Sequence, residues 1–194
     1  MNSTIYFDFE TGGILPEHPS TQLAAIAVCD ETGKELASFE RKLKFDPLKC
    51  DPEALKINHW SADAWDQAVE PSVAAALFGR FIEPFKCVEM ISKRTGRPYS
   101  VAKAAGYNAL TFDWPRLKEL FGSSFLPVSY HVRDVLQRVI FWSDESGVKL
   151  TEHKLSTVCE HFGIETTGAH DALVDVRLTA ALYRKIANEN SLRH

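Results

Sequence analysis

The chain reads as an α/β domain, a mixed sheet that begins as an antiparallel meander and carries helices packed on it. Three observations predict this class. Residues 4–45 hold three strand patterns in succession, and beyond residue 100 short strand patterns alternate with helical ones. Strands first, then alternation of strand and helix, imply a mixed sheet. The composition, 45% hydrophobic and 25% charged over 194 residues, is that of an ordinary soluble domain with one sizeable core.

The first strand pattern runs from Thr4 to Gly13. Ile5, Phe7 and Phe9 fill one face, while Asp8 and Glu10 stand about 7 Å apart on the other. Thr11, Gly12 and Gly13 then turn the chain. Gln22–Cys29 is a continuous apolar run closed by the turn signal Asp30-Glu31-Thr32-Gly33. Glu35 to Phe45 alternates as a half-buried strand, broken on its apolar side by Arg41.

Pro52–Ile57 and Ala62–Gln67 read as short helices, and Ser72–Ser92 as a longer one with Pro84 as a kink or break. Val101–Tyr107 is a short strand, followed by a helix from Trp114 to Phe121 with Pro115 in its first turn. Val128–Val132 is a strand feeding a helix through Trp142. Lys154–Phe162 is a helix stopped by Gly163, and Ala172–Asn188 is the last helix, with a polar tail after it. No linker-like composition divides residues 1–194, so one domain is expected.

The net charge of −4 argues against a general nucleic-acid coat but permits a local basic rim. Lys86 to Lys103 is such a stretch, with Lys93, Arg94 and Arg97 at its centre. It reads either as a solvated turn or as a loop that flaps over a phosphate backbone. Cys29, Cys50, Cys87 and Cys159 show no zinc-type spacing, and Met1–Ser3 show no secretory leader; reduced thiols and a cytoplasmic location are expected. The longest apolar run, Val73 to Phe78, is too short to span a membrane.

Three acidic stretches carry the chemistry. Asp8 and Glu10 would repel each other and resist desolvation unless a cation held them, or else they simply reach solvent at a strand end. Asp113 lies where a strand gives way to a helix, as a helix cap or as part of a site at the sheet's crevice. His170 and Asp175 would point about 140° apart on one helix, so they converge only if His170 sits in the preceding loop. Asp171 is then the cap and Asp175 falls near the helix N-terminus. A solvated surface His and Asp is the plainer alternative.

Together these stretches resemble the DEDDh 3′–5′ exonucleases of the ribonuclease H-like superfamily, which include bacterial proofreading subunits. D-x-E-T stands as Asp8-Phe9-Glu10-Thr11, N-x-x-x-F-D as Asn108 to Asp113, and H-x-x-x-x-D as His170 to Asp175. Pro52–Asn58, His153–Cys159 and the final helix extend the likeness over most of the chain. The resemblance implies a five-stranded ribonuclease H-like sheet. It implies two Mg²⁺ or Mn²⁺ ions on Asp8, Glu10, Asp113 and Asp175, with Asp8 bridging, and His170 as general base toward the attacking water. It also implies release of nucleoside monophosphates from 3′ ends.

Substrate contacts implied by the same resemblance are Thr11 at the terminal nucleotide, with Ile14 or Leu15 wedged beside its base. Asn108 belongs to the second motif. The stretch Asn58-His59-Trp60 would line the terminal base, although the family often has Gly at His59. Trp60 suits base stacking or burial between short helices. Single-stranded DNA or RNA is the expected substrate, DNA favoured, with a polymerase or another replication or repair protein as partner. An RNA-trimming or oligonucleotide exonuclease is the near alternative, and a non-catalytic recruitment module the distant one.

Overall fold

Strand β1 (Ser3–Thr11) lies at the centre of a five-stranded sheet in the computed structural model, which describes residues 2–168 and 171–192. On one side it pairs antiparallel with β2 (Ser20–Cys29), and β2 pairs antiparallel with β3 (Glu35–Lys42). Two short strands, β4 (Val88–Ile91) and β5 (Pro98–Val101), form a separate hairpin. On its other side β1 pairs in parallel with β6 (Lys103–Gly106), which pairs in parallel with β7 (Arg133–Asp134). The sheet order is therefore β3-β2-β1-β6-β7, the mixed sheet with an antiparallel start that the sequence predicts.

Helices cover both faces. Ile5, Phe7 and Phe9 pack with Phe78 and Ile82 of α2 (Pro71–Ile82) and Leu117 of α3 (Asp113–Phe121). Tyr6, Ile26 and Val28 pack against α4 (Val135–Ser146), α5 (Leu155–His161) and α6 (Ala172–Leu192) through Val139, Val158, Leu178 and Leu182. Burial on both faces explains why Gln22–Cys29 is apolar without alternation. A side chain as deeply buried as Phe7 contributes roughly 1.5–3 kcal/mol by leaving water. Asp8 and Glu10 share the face of Tyr6, where α6 begins.

Several expected elements are shorter. The long helix expected to Ser92 ends at Ile82, with a 3₁₀ turn at Glu83–Phe85 and strand β4 beyond it. Pro84 cannot donate to Arg80, and Val88–Ile91 finds a ladder with β5 instead. The basic stretch from Lys86 is therefore largely a hairpin and not a loop. Val101–Tyr107 divides at Ala102, which bridges to Val128. Of the strand expected at Val128–Val132 only the bridge at Val128 forms, and β7 lies just beyond it. Among the described residues no helix is long and apolar enough to cross a membrane, and the four cysteines are free.

Candidate active site

The site forms because β1 outruns its parallel neighbour. β6 pairs with Thr4, Ile5 and Tyr6 and then turns away at Gly106, where a Cβ would meet Phe7 O at 2.9 Å and Ala109 Cβ at 2.7 Å. The rest of β1 has no ladder on that side. Asp113 fills the gap: its Oδ1 accepts from Phe9 N (2.9 Å), and the side chain is buried. The helix cap position falls on Phe112, so Asp113 extends the sheet's hydrogen bonding and does not cap α3.

Asp8 and Glu10, half-buried at the end of β1, meet Asp175 in the first turn of α6. One carboxylate oxygen from each lies within 4.8 Å of the other two. Asp171 takes the expected capping role, its Oδ1 accepting from Leu173 N (3.0 Å) and Val174 N (3.1 Å). That leaves Asp175 to face the strand. His170 lies outside the described residues.

The electrostatics follow from this crowding. Loss of water, then the charge of Asp175, pushes Asp8 up to about 7. Loss of water, then the charges of Asp8, Asp175 and Asp171, pushes Glu10 up to about 8. Burial and the charge of Asp8 hold Asp113 well above the usual carboxylate range, against the pull of Phe9 N–H. Clustered hard oxygen donors whose negative charge is disfavoured suit a divalent cation such as Mg²⁺ or Mn²⁺. The donor set thus fits the metal that the motifs imply.

The remaining expected residues take different places. The Thr11 hydroxyl donates to Gly13 O (2.7 Å) and shapes the turn after β1. Ile14 is 87% exposed and Leu15 47%, on the loop that follows. Asn108 adopts a left-handed conformation (φ +55°) and lines a cleft of about 570 Å³ with Tyr107, His153, Lys154 and Asp175. A cleft of about 610 Å³ opens at the other end of β1, beside Thr4 and Tyr6, and includes none of Asp8, Glu10, Asp113 and Asp175. His59 is exposed with φ +52°, and Trp60 is half-buried with its ring 6.2 Å from that of Phe45.

Three residues support the site in roles that the sequence reading does not give them. Asn58 Nδ2 donates to Thr11 O (2.9 Å) and ties α1 (Pro52–Ile57) to the end of β1. Asp134 accepts from Asn108 N (3.1 Å) and Leu110 N (3.0 Å), as well as capping α4 through Leu136 N (3.0 Å). Arg116 holds the loop that bears Ile14 and Leu15. Asn58 ends the family-like stretch Pro52–Asn58, and Asp134 carries a capping signal. Arg116 carries no local signal.

The basic stretch is rooted away from the acids. Cys87 Sγ approaches Ser3 O (3.5 Å) and Lys103 pairs opposite Thr4, so the hairpin is rooted at the far end of β1. That root lies about 17 Å along the strand from Asp8, at about 3.3 Å per residue. Lys86 pairs with Glu83, and Lys103 with Asp30 at 2.6 Å.

The RNase_T exonuclease family model matches residues 5–183, and the chain belongs to that exonuclease family, a class of nucleases. No curated protein sequence matches it. Among solved structures, E. coli exonuclease I in complex with a dT13 oligonucleotide superimposes with a TM-score of 0.73 at 21% identity, over 100% of this chain and 42% of that one. The zinc-bound exonuclease I–ssDNA complex gives 0.74 at 21% identity, and the ExoI/SSB-Ct complex 0.72 at 20%, each again covering 100% of this chain and 42% of that one. The likeness establishes a shared fold, and this chain spans about two-fifths of the length of exonuclease I.

Proposed function

We propose that the chain is a metal-dependent exonuclease that removes nucleoside 5′-monophosphates from the 3′ ends of single-stranded nucleic acid, DNA ahead of RNA. The observation that carries this reading is the convergence of Asp8, Glu10 and Asp175 within 4.8 Å at the end of β1. In this reading Asp8, Glu10, Asp113 and Asp175 would hold two Mg²⁺ or Mn²⁺ ions, which would supply positive charge at the reacting phosphodiester. Asp113 also ties the end of β1 to α3 through Phe9 N, and Asp171 holds the start of α6 so that Asp175 faces the strand. His170 accepts the proton of the attacking water, a task suited to an imidazole near its ordinary pKa. Ile14 and Leu15 flank the terminal base, His59 and Trp60 line it, and Asn108 lines the cleft that also holds Asp175.

The DNA preference follows the proofreading resemblance and is supported by analogy with exonuclease I, which has been seen with dT13 and with SSB-Ct. The test is degradation of matched 5′-labelled single-stranded DNA and RNA with Mg²⁺, Mn²⁺ or EDTA. A metal-dependent ladder shortening from the 3′ end is expected, faster on DNA and absent in Asp8→Ala. Faster loss of RNA would make the chain an RNA-trimming enzyme. Binding without cleavage of either strand would make it a recruitment module.

A further inference from the structure

Arg116 stands one helical turn after Asp113, so the two side chains leave the same face of α3. It is only 6% exposed, and its Nη1 donates to Pro16 O (2.9 Å) and His18 O (2.6 Å) while Nη2 donates to Leu15 O (2.9 Å). Its acidic neighbour Glu119 is 3.9 Å away and largely exposed. A guanidinium buried on carbonyl dipoles in place of a close carboxylate needs well-aimed hydrogen bonds to offset its desolvation.

The gripped loop also closes on itself. Gly12 N donates to Pro19 O (2.8 Å), His18 N to Leu15 O (3.1 Å), and Leu15 N to His18 Nδ1 (3.4 Å). Gly13, at φ +148°, lies under the His18 ring, where a Cβ would overlap Nδ1. The product of all this anchoring is two exposed apolar side chains, Ile14 and Leu15, four and five residues after Glu10. Such an anchored apolar lip is a presented surface.

We propose that Arg116 is a positioning residue for the 3′-terminal nucleotide, acting through Leu15. α3 sets the strand of the acids through Asp113 and the apolar lip through Arg116, so one helix fixes the spacing between the lip and the scissile phosphate. The inference rests on the exonuclease reading above. The lip suits the flat face of an unpaired terminal base, and its function is grip on the end of the strand.

Arg116→Met keeps the apolar stem and removes the donors, and Arg116→Lys replaces the planar fork with a point charge. In Arg116→Met, amide exchange of residues 13–18 should quicken about tenfold. KM for a 5′-labelled single-stranded oligodeoxynucleotide should rise about tenfold with kcat within about twofold, and Mn²⁺ affinity should be unchanged. Arg116→Lys should recover less than half of the loss. Leu15→Ala should raise KM similarly, and the double variant should be no worse than the poorer single one. Multiplying effects, or a fall in kcat at constant KM, would overturn the proposal. A wild-type chain that cleaves nothing would defeat the exonuclease reading alone. Exchange then tests the anchor by itself, and unchanged protection in Arg116→Met overturns it.

Discussion

The two ends of β1 handle charge in opposite ways. At its start, Thr4 Oγ1 donates to Asp30 (2.8 Å), and Lys103 pairs with the same carboxylate at 2.6 Å. Nearby, Arg177 grips Glu35 with two bonds of 3.0 Å. At its end, Asp8 and Glu10 face Asp175, and among the described residues neither Asp8 nor Glu10 forms an ion pair. The first arrangement holds the fold together. The second brings like charges together in spite of their repulsion, which the proposed metal-binding role explains.

The largest expected difference comes from removing one charge at each end. Asp8→Asn should lower exonuclease rate by at least about a thousandfold. It should also stabilise the metal-free fold, because it removes a carboxylate disfavoured by burial and by Asp175. Lys103→Ala should do the reverse, lowering stability by about 0.5–1 kcal/mol with cleavage unchanged. Thermal melts in EDTA and single-turnover rates check both. A less stable Asp8→Asn would break the contrast.

A smaller effect appears in the pH dependence of stability. Asp8 and Glu10 titrate near 7 and 8 in the fold, above the value of about 4 for free carboxylates. Between these limits the folded chain binds more protons than the unfolded one, so stability falls as pH rises. The loss begins near pH 4 and is complete above about pH 8. Denaturant titrations at pH 5, 6, 7 and 8 in EDTA should show it, and Mn²⁺ should restore stability most at pH 8. A flat profile in EDTA would contradict the account.

The smallest effect is expected at the hairpin. Replacing Lys93, Arg94 and Arg97 with Gln should leave the salt dependence of single-strand binding unchanged, because the hairpin is rooted at the opposite end of β1 from the acids. A flatter slope would place the strand's path over the hairpin.

What the sequence reveals divides along similar lines. The alternation of β1 exposes Asp8 and Glu10 as neighbours, and the Asp171-to-Asp175 spacing separates cap from site, because both are local geometry. The role of Asp113 depends on a bond to Phe9, and that of Arg116 on bonds to Leu15, Pro16 and His18. These partners lie about a hundred residues away and leave no trace in periodicity. The hairpin is hidden for a different reason. Phe81, Phe85 and Val88 continue a helical apolar spacing across Pro84, and only the partner strand Pro98–Val101 turns Val88–Ile91 into β4.

On the proposed reading the acids at the end of β1 are kept for a divalent cation. Calorimetric titration of Mn²⁺ into the wild-type chain and Asp8→Asn at pH 8 tests this most directly. About two ions should bind the wild type, and binding by the variant should be at least tenfold weaker. Equal affinities in the two proteins would contradict the metal-binding role of Asp8.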